Sequence, residues 1–340
     1  MSTRTWRAIR IAGSLFALLL LCVWISLNTG YSDLSLREIW TTLFGGSDMR
    51  AVTVIFDIRL PRILIAVLVG MAFAVAGVVL QGISQNGLAD SGVLGINAGA
   101  GLGIVLYISA FYEKTNMAPV YALPIFAFIG ALGTAVAVFA LSLRQGRVDP
   151  VRLVLMGIAV GAGIGAAMLF LTYYMGTYQY EFVKVWLTGN IWGTNWDYVR
   201  IAAVWIAVVL TLVIYKSRSL NLLQLGDAVA MSVGMAVNRE RLLLLAAAVA
   251  LAGAAVSVAG AIGFVGLVGP HMARRLVGTN HKAFMPIAAL VGALLVVLSD
   301  LIGRIIVHPS EIPVGVIVSG IGAPYFIYLM IKRRKPGKEG

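Results

Sequence analysis

Apolar residues run along this chain in long blocks, without the strict alternation of half-buried strands or the narrow stripes of soluble helices. Nine blocks, at 11–27, 63–82, 92–111, 118–143, 151–174, 198–215, 242–262, 283–303 and 312–331, each supply the roughly 20 mostly apolar residues that a membrane-crossing helix requires. A tenth stretch, from Gly263 to Val277, is apolar but short, and Gly266, Gly269 and Pro270 interrupt it. A short or broken helix at membrane depth is tolerated only where protein buries it or a cavity adjoins it. The first block follows Arg4, Arg7 and Arg10, as in a signal peptide. No small-residue cleavage site follows at Leu27-Asn28-Thr29-Gly30, so a retained helix is expected.

Composition excludes most alternatives to a membrane protein. Of 340 residues, 60% are hydrophobic and only 12% charged, with a mean hydropathy of +0.94. Soluble domains carry about 25% charged residues. A soluble enzyme, a disordered chain and a fibrous protein are therefore excluded. The net charge of +12 decides the number of crossings. Ten crossings place 18 basic residues on one face, including Arg144, Arg147, Arg152, Lys216, Arg218, Arg239, Arg241, Arg274, Arg275, Lys282 and the tail Lys332-Arg333-Arg334-Lys335 with Lys338, against 8 on the other. Nine crossings would put that tail outside, against the positive-inside rule. The expected fold is all-α and polytopic: ten transmembrane helices, one of them short, with both termini cytoplasmic. It forms a single transmembrane domain over 1–340, with a polar cytoplasmic loop at 216–241 and a basic tail at 332–340. The positive charge is thus chiefly an orientation signal and does not point to nucleic acid. One cysteine, Cys22, and three scattered histidines offer no disulfide framework and no metal site. The ridges Gly95-xxx-Gly99-xxx-Gly103 and Gly157-xxx-Gly161-xxx-Gly165 are read as close helix packing, with pore lining or a subunit contact as the sharper alternative.

The chain has no G-x-x-x-x-G-K-S/T loop to cradle nucleotide phosphates and no T-V-G-Y-G filter. Asp300 and Arg304, at i,i+4, are the ionisable pair that stands at a span end. The chain therefore reads as a conduit energised from elsewhere, with no enzyme site of its own and no cofactor. An ion-coupled carrier using Asp300, and a membrane enzyme or scaffold, are the competing classes. Two polar regions call for partners. In the loop from Lys216 to Arg241, Ser219 and Asp227 are expected N-caps, and Gly226 and Gly234 expected stops, for helices at Leu220–Leu225 and Ala228–Val233. Their apolar residues Leu222, Leu223, Leu225, Val229, Met231 and Val233 suit either the lipid interface or a cytoplasmic protein. Outside, the segment 176–197 carries Trp186, Trp192 and Trp196, residues that usually anchor at headgroup depth. Arg59 and Arg62 flank Pro61 where a span begins, so one helix face presents both. Lipid phosphate and an acidic extracytoplasmic protein are the two fits, the second drawing on bidentate carboxylate pairing.

Several motifs then coincide. Arg59-Leu60-Pro61-Arg62 is followed by Gly70, Ala74 and Gly77-Val78-Val79-Leu80-Gln81. Next come Asn86-Gly87-Leu88-Ala89-Asp90-Ser91-Gly92-Val93-Leu94-Gly95-Ile96 and Gly99-Ala100-Gly101. Trp186-Leu187-Thr188-Gly189, Leu225-Gly226-Asp227-Ala228 and Val233-Gly234 follow. The run from Ala259 through Gly263-Phe264-Val265-Gly266-Leu267-Val268-Gly269-Pro270-His271 is next. Glu311-Ile312-Pro313-Val314-Gly315 and Gly322-Ala323-Pro324-Tyr325-Phe326 complete the set. From about residue 50 to 330 this order and spacing resembles the FecCD family, the permeases of ATP-driven importers for iron–siderophores, haem and cobalamin.

The resemblance implies a ten-helix subunit of the bacterial cytoplasmic membrane, a second permease, two copies of a cytoplasmic ABC ATPase that binds the ATP, and an extracytoplasmic substrate-binding protein. Arg59 and Arg62 match family arginines that contact acidic residues on the two lobes of the binding protein. Arg304, before His308-Pro309-Ser310-Glu311, matches a third. The loop containing Leu222, Leu225, Gly226, Asp227, Ala228, Val233 and Gly234 matches the coupling helices that enter the ATPase. Asn86 and Leu88 match the inner gate. Where the family usually has Asn-Pro-Leu-Ala-x-Pro, this chain has Gly87 and Ser91 in place of both prolines. The change implies a more mobile gate loop and a divergent member of a non-identical permease pair. Iron(III)–siderophore is the expected cargo, with haem and cobalamin as alternatives.

Overall fold

The computed structural model describes residues 3–30, 34–45, 48–111, 119–144, 147–307 and 310–333. His308, Pro309 and tail residues 334–340 lie outside the described residues. In chain order the helices are α1 (Thr3–Asn28), α2 (Leu36–Leu43), α3 (Met49–Val52), α4 (Leu60–Ser84), α5 (Ile96–Ala110), α6 (Pro119–Ser142), α7 (Pro150–Tyr173), α8 (Thr177–Leu187) and α9 (Trp196–Tyr215). They continue with α10 (Ser217–Leu223), α11 (Asp227–Ser232), α12 (Val237–Ala259), α13 (Val265–Val277), α14 (His281–Ile306) and α15 (Val314–Arg333). A hairpin of two-residue strands, β1 (Leu143–Arg144) and β2 (Arg147–Val148), links α6 to α7.

Each of the ten predicted apolar stretches falls on one helix. Seven helices among the described residues are long and apolar enough to cross a membrane, and Ile96–Ala110 and Val314–Tyr328 form shorter apolar helices. α13 has 13 residues and so rises only about 20 Å, against about 30 Å of hydrocarbon. It survives at that length because protein surrounds it: Val265 to Pro270 are all buried.

α4 is the axis of the molecule, buried along nearly its whole length and packed against α9, α12, α13 and α14. Glycine makes this possible where backbones meet. A Cβ on Gly77 would lie 2.1 Å from Gly266 O of α13, and one on Gly70 would lie 2.4 Å from Gly292 O of α14. The Gly95–Gly103 ridge is packed within the chain: Gly99 abuts Gly130 and Thr134, and Gly103 abuts Phe126 O. In the second ridge Gly157 and Gly161 face Leu94 and Gly95, whereas Gly165 meets nothing within 4 Å.

One boundary departs substantially from the sequence pattern. The helix containing α4 starts at Met49 and runs unbroken to Ser84, with a π-helical stretch at Thr53–Arg59 joining α3 to α4. Leu60 N–H donates to Ile55 O in that wider turn. Pro61 therefore does not start a helix, and Arg59 and Arg62 sit well inside one. Apolar residues Ile55 and Ile63 extend the buried face in both directions.

Candidate docking and coupling sites

The N-terminal end of α4 carries a buried charge cluster. Asp300, one helical turn before Arg304 on α14, accepts from both arginines: Arg62 Nη2 lies 2.7 Å from Oδ1, and Arg304 Nη2 lies 2.9 Å from Oδ2. Arg62 Nη1 also reaches Glu311 Oε2 at 2.8 Å. The guanidinium groups close the end of α1 as well. Helix C-termini leave carbonyls without intrahelical partners, and α1 has no basic residue in its last turn. Arg59 supplies one from a distance, donating to Leu27 O at 2.6 Å, and Arg304 donates to Thr29 O at 2.9 Å and to Ser26 Oγ. A Cβ on Gly30 would press on the Arg59 guanidinium at 2.8 Å, so glycine there makes room for it.

These residues do not form an exposed basic face on one helix, as the sequence pattern suggests. Arg59, Arg62 and Arg304 are 4%, 8% and 7% exposed. Their charge is directed inward, and Glu311, a third exposed in its side chain, is the cluster's one accessible acid. The i,i+4 Asp300–Arg304 pair is present, and Arg62 joins it from 238 residues away.

The glycines of three motifs meet in a backbone junction near α8. Gly315 N–H donates to Gly189 O at 3.0 Å. A Cβ on Gly315 would lie 2.1 Å from Thr188 O, and one on Gly260 would lie 2.2 Å from Trp186 O. Three segments distant in the chain therefore touch main chain to main chain, which explains why these positions carry glycine.

At the other end of α4, Gln85 takes a left-handed conformation (φ 49°) and turns the chain into the 86–95 loop. Asn86 Oδ1 accepts from Leu88 N–H at 3.0 Å, and Ala89 N–H donates to Asn86 O. Asn86 and Leu88 are half-buried. Asp90 accepts from Val93 N–H at 2.8 Å. Burial pushes its carboxyl upward, opposed by the N–H groups of Val93, Gly92 and Phe264. The loop is thereby tied to the start of α13 although both family prolines are absent.

The 216–241 loop is clamped at its root. Lys216 and Glu240 close its neck at 2.7 Å. Arg241, fully buried, makes a bidentate pair with Asp227 at 2.8 and 3.1 Å and also donates to Val148 O, so one side chain joins α11, α12 and β2. α10 is fastened to α4 and α14: Gln85 donates to Leu223 O at 3.0 Å, and Asn221 Oδ1 accepts from His281 N–H at 3.0 Å. The expected capping is corrected here. Ser219 lies inside α10, which starts at Ser217, and Asp227 is the first residue of α11 and pairs with Arg241 instead of capping. Gly226 (φ 98°) and Gly234 (φ 83°) do turn the chain at the two stops. The apolar residues divide into two sets. Leu220, Leu223 and Ala230 belong to the core, and Leu222 is half-buried. Leu225 and Val229 are 63% and 44% exposed, and Ala228, Met231 and Val233 are also exposed. Arg241, His281 and Asn221 escaped sequence reasoning. Only its place immediately before an apolar block hinted at the first.

The FecCD transport family profile matches residues 18–332. The iron(3+)-hydroxamate import system permease protein FhuG of Bacillus subtilis is 41% identical over 98% of this chain and 99% of its own length. The hemin transport system permease protein HmuU of Yersinia pestis is 39% identical over 95% of this chain and 96% of its own. Among solved structures, an inward-facing metal-chelate type ABC transporter superposes with a TM-score of 0.84 at 32% identity, covering 95% of this chain and 99% of that one.

Proposed function

The chain belongs to the FecCD transport family, and we propose that it is the permease subunit of an ATP-driven importer that carries iron(III)–siderophore across the bacterial plasma membrane. Hydroxamate and hemin relatives at similar identity make haem the nearest alternative cargo. The chain crosses the bilayer ten times with both ends in the cytoplasm and pairs with a second, non-identical permease. It binds no nucleotide and catalyses no reaction itself. Two copies of a cytoplasmic ATPase drive it, and an extracytoplasmic binding protein delivers the cargo. Substrate affinity resides in that binding protein, which accords with the scarcity of charged groups in the spans.

The observation that carries this reading is the 216–241 loop. Leu225, Val229, Met231 and Val233 are exposed on a segment whose root is fixed by two ion pairs. Exposed apolar side chains on a rigid mount suit a partner groove, and ATP-driven closure of that partner would push through Arg241 onto α12 and α7. At the opposite face, an acidic side chain of the binding protein competes with Glu311 for Arg62, with Arg59 and Arg304 adding positive potential. Asn86 and Leu88 close the inner end of the pathway. The test is copurification of the cytoplasmic ATPase with the permease carrying Leu225→Asp and Val229→Asp. Both side chains are exposed, so folding is retained and the ATPase is lost. An ATPase that stays bound overturns the coupling assignment.

A further inference from the structure

A second basic feature lies apart from the docking and coupling residues. A cavity of about 900 Å³ opens between the start of α1, the end of α13 and the start of α14. Arg7, Arg275 and Lys282 line it and are exposed, and among the described residues none of the lining side chains is acidic. Arg274 also lines it but is engaged elsewhere, donating to Gln81 Oε1 and lying over the Phe284 ring. The wall is apolar, built from Ile9 and Ala12 of α1 and Ile287 of α14. Trp6, 56% exposed, sits one residue before Arg7, where tryptophan marks headgroup depth. Beyond it, on the same face of α1 as Ile9 and Ala12, Phe16 and Leu20 are exposed along the path of an acyl chain.

We propose that this cavity binds an anionic phospholipid, its phosphate held by Arg7, Arg275 and Lys282 and its first acyl segment laid against Ile9, Ala12 and Ile287. Three cations without a carboxylate above an apolar wall match an amphiphile with a negative head. A soluble phosphate would leave that wall wet, and an acidic peptide would gain nothing from the outward apolar face of α1. Basic pockets between membrane helices on the cytoplasmic side are suited to such head groups. The choice of the inner leaflet rests on the proposed orientation; the binding itself does not.

The test is native mass spectrometry of the delipidated permease complex titrated separately with phosphatidylglycerol, phosphatidylcholine and inorganic phosphate. Phosphatidylglycerol is retained in preference to phosphatidylcholine. Arg7→Gln with Lys282→Gln weakens it about thirtyfold, at roughly fivefold per basic side chain, and leaves phosphatidylcholine unaffected. The charge-preserving Arg7→Lys with Lys282→Arg keeps wild-type retention, which separates lost charge from lost folding. Equal retention of the two lipids, or wild-type phosphatidylglycerol binding by the glutamine variant, overturns the proposal. So does inorganic phosphate that competes phosphatidylglycerol away, which identifies a free-phosphate site. Release of the ATPase by the glutamine variant with lipid binding intact makes the cavity a protein interface instead. A wild-type complex that retains phosphatidylglycerol but takes up no iron(III)–siderophore counts against the importer reading alone.

Discussion

Asp300 is the residue on which two readings of this chain diverge. As a lone carboxylate in a span it resembles the coupling site of an ion-driven carrier. In the fold it is buried and shared by Arg62 and Arg304, so its charge holds two guanidinium groups and, through them, the end of α1. Breaking a buried pair by removing one partner costs about 3–5 kcal/mol, because the remaining charge is left uncompensated. Asp300→Asn is therefore expected to lower the thermal unfolding temperature of the purified permease complex. Uptake per folded molecule should stay close to wild type. An unchanged unfolding temperature with uptake abolished would favour ion coupling. The Asp300–Arg304 half of this arrangement was legible in the sequence, because i,i+4 spacing is local. Arg62 was not, since nothing in the chain between 62 and 300 announces which helices will be neighbours.

At the level of elements, apolar block length located the helices well and their ends poorly. The α3–α4 rod runs through Asp57, Arg59 and Arg62 because its first turns pack against α1 and are held by ion pairs, a tertiary effect that hydropathy cannot register. Glycine patterns were legible as packing signals, but their partners were not. The contrast between Gly77 and Gly165 gives a prediction. Gly77→Ala pushes a methyl against Gly266 O and should cost about 1–3 kcal/mol in thermal stability. Gly165→Ala enters open space and should cost nothing, helix propensity even favouring it. Equal melting temperatures for both variants would refute the close α4–α13 contact. The glycine stops of the 216–241 loop were legible in the sequence, but its N-caps were not, because Asp227 finds Arg241 instead of its own helix amides. Arg241→Met should leave ATPase binding in place while uptake per ATP hydrolysed falls several-fold, since the loop loses its link to α12 and β2. Full coupling in that variant would remove Arg241 from the transmission route.

For the whole molecule, the distribution of charge argues for one orientation, and the single thiol provides the means to test it. Cys22 is 4% exposed on the inward face of α1, and free cysteine packs as a small hydrophobe, so Cys22→Ala yields a thiol-free chain at modest cost. On that background Lys184→Cys should react with a membrane-impermeant maleimide in intact cells, and Arg218→Cys only after permeabilisation. The reverse pattern would invert the proposed topology. The Asp300 cluster has a consequence for kinetics as well. Three guanidinium groups gather with Asp300 and Glu311 at the N-terminal end of α4. Field lines from a poorly solvated charge reach farther than those of a screened surface lysine, yet the Debye length at physiological salt is only about 8 Å. Capture of an acidic partner at this face should therefore accelerate as ionic strength falls, while its dissociation, governed by short-range contacts, changes little.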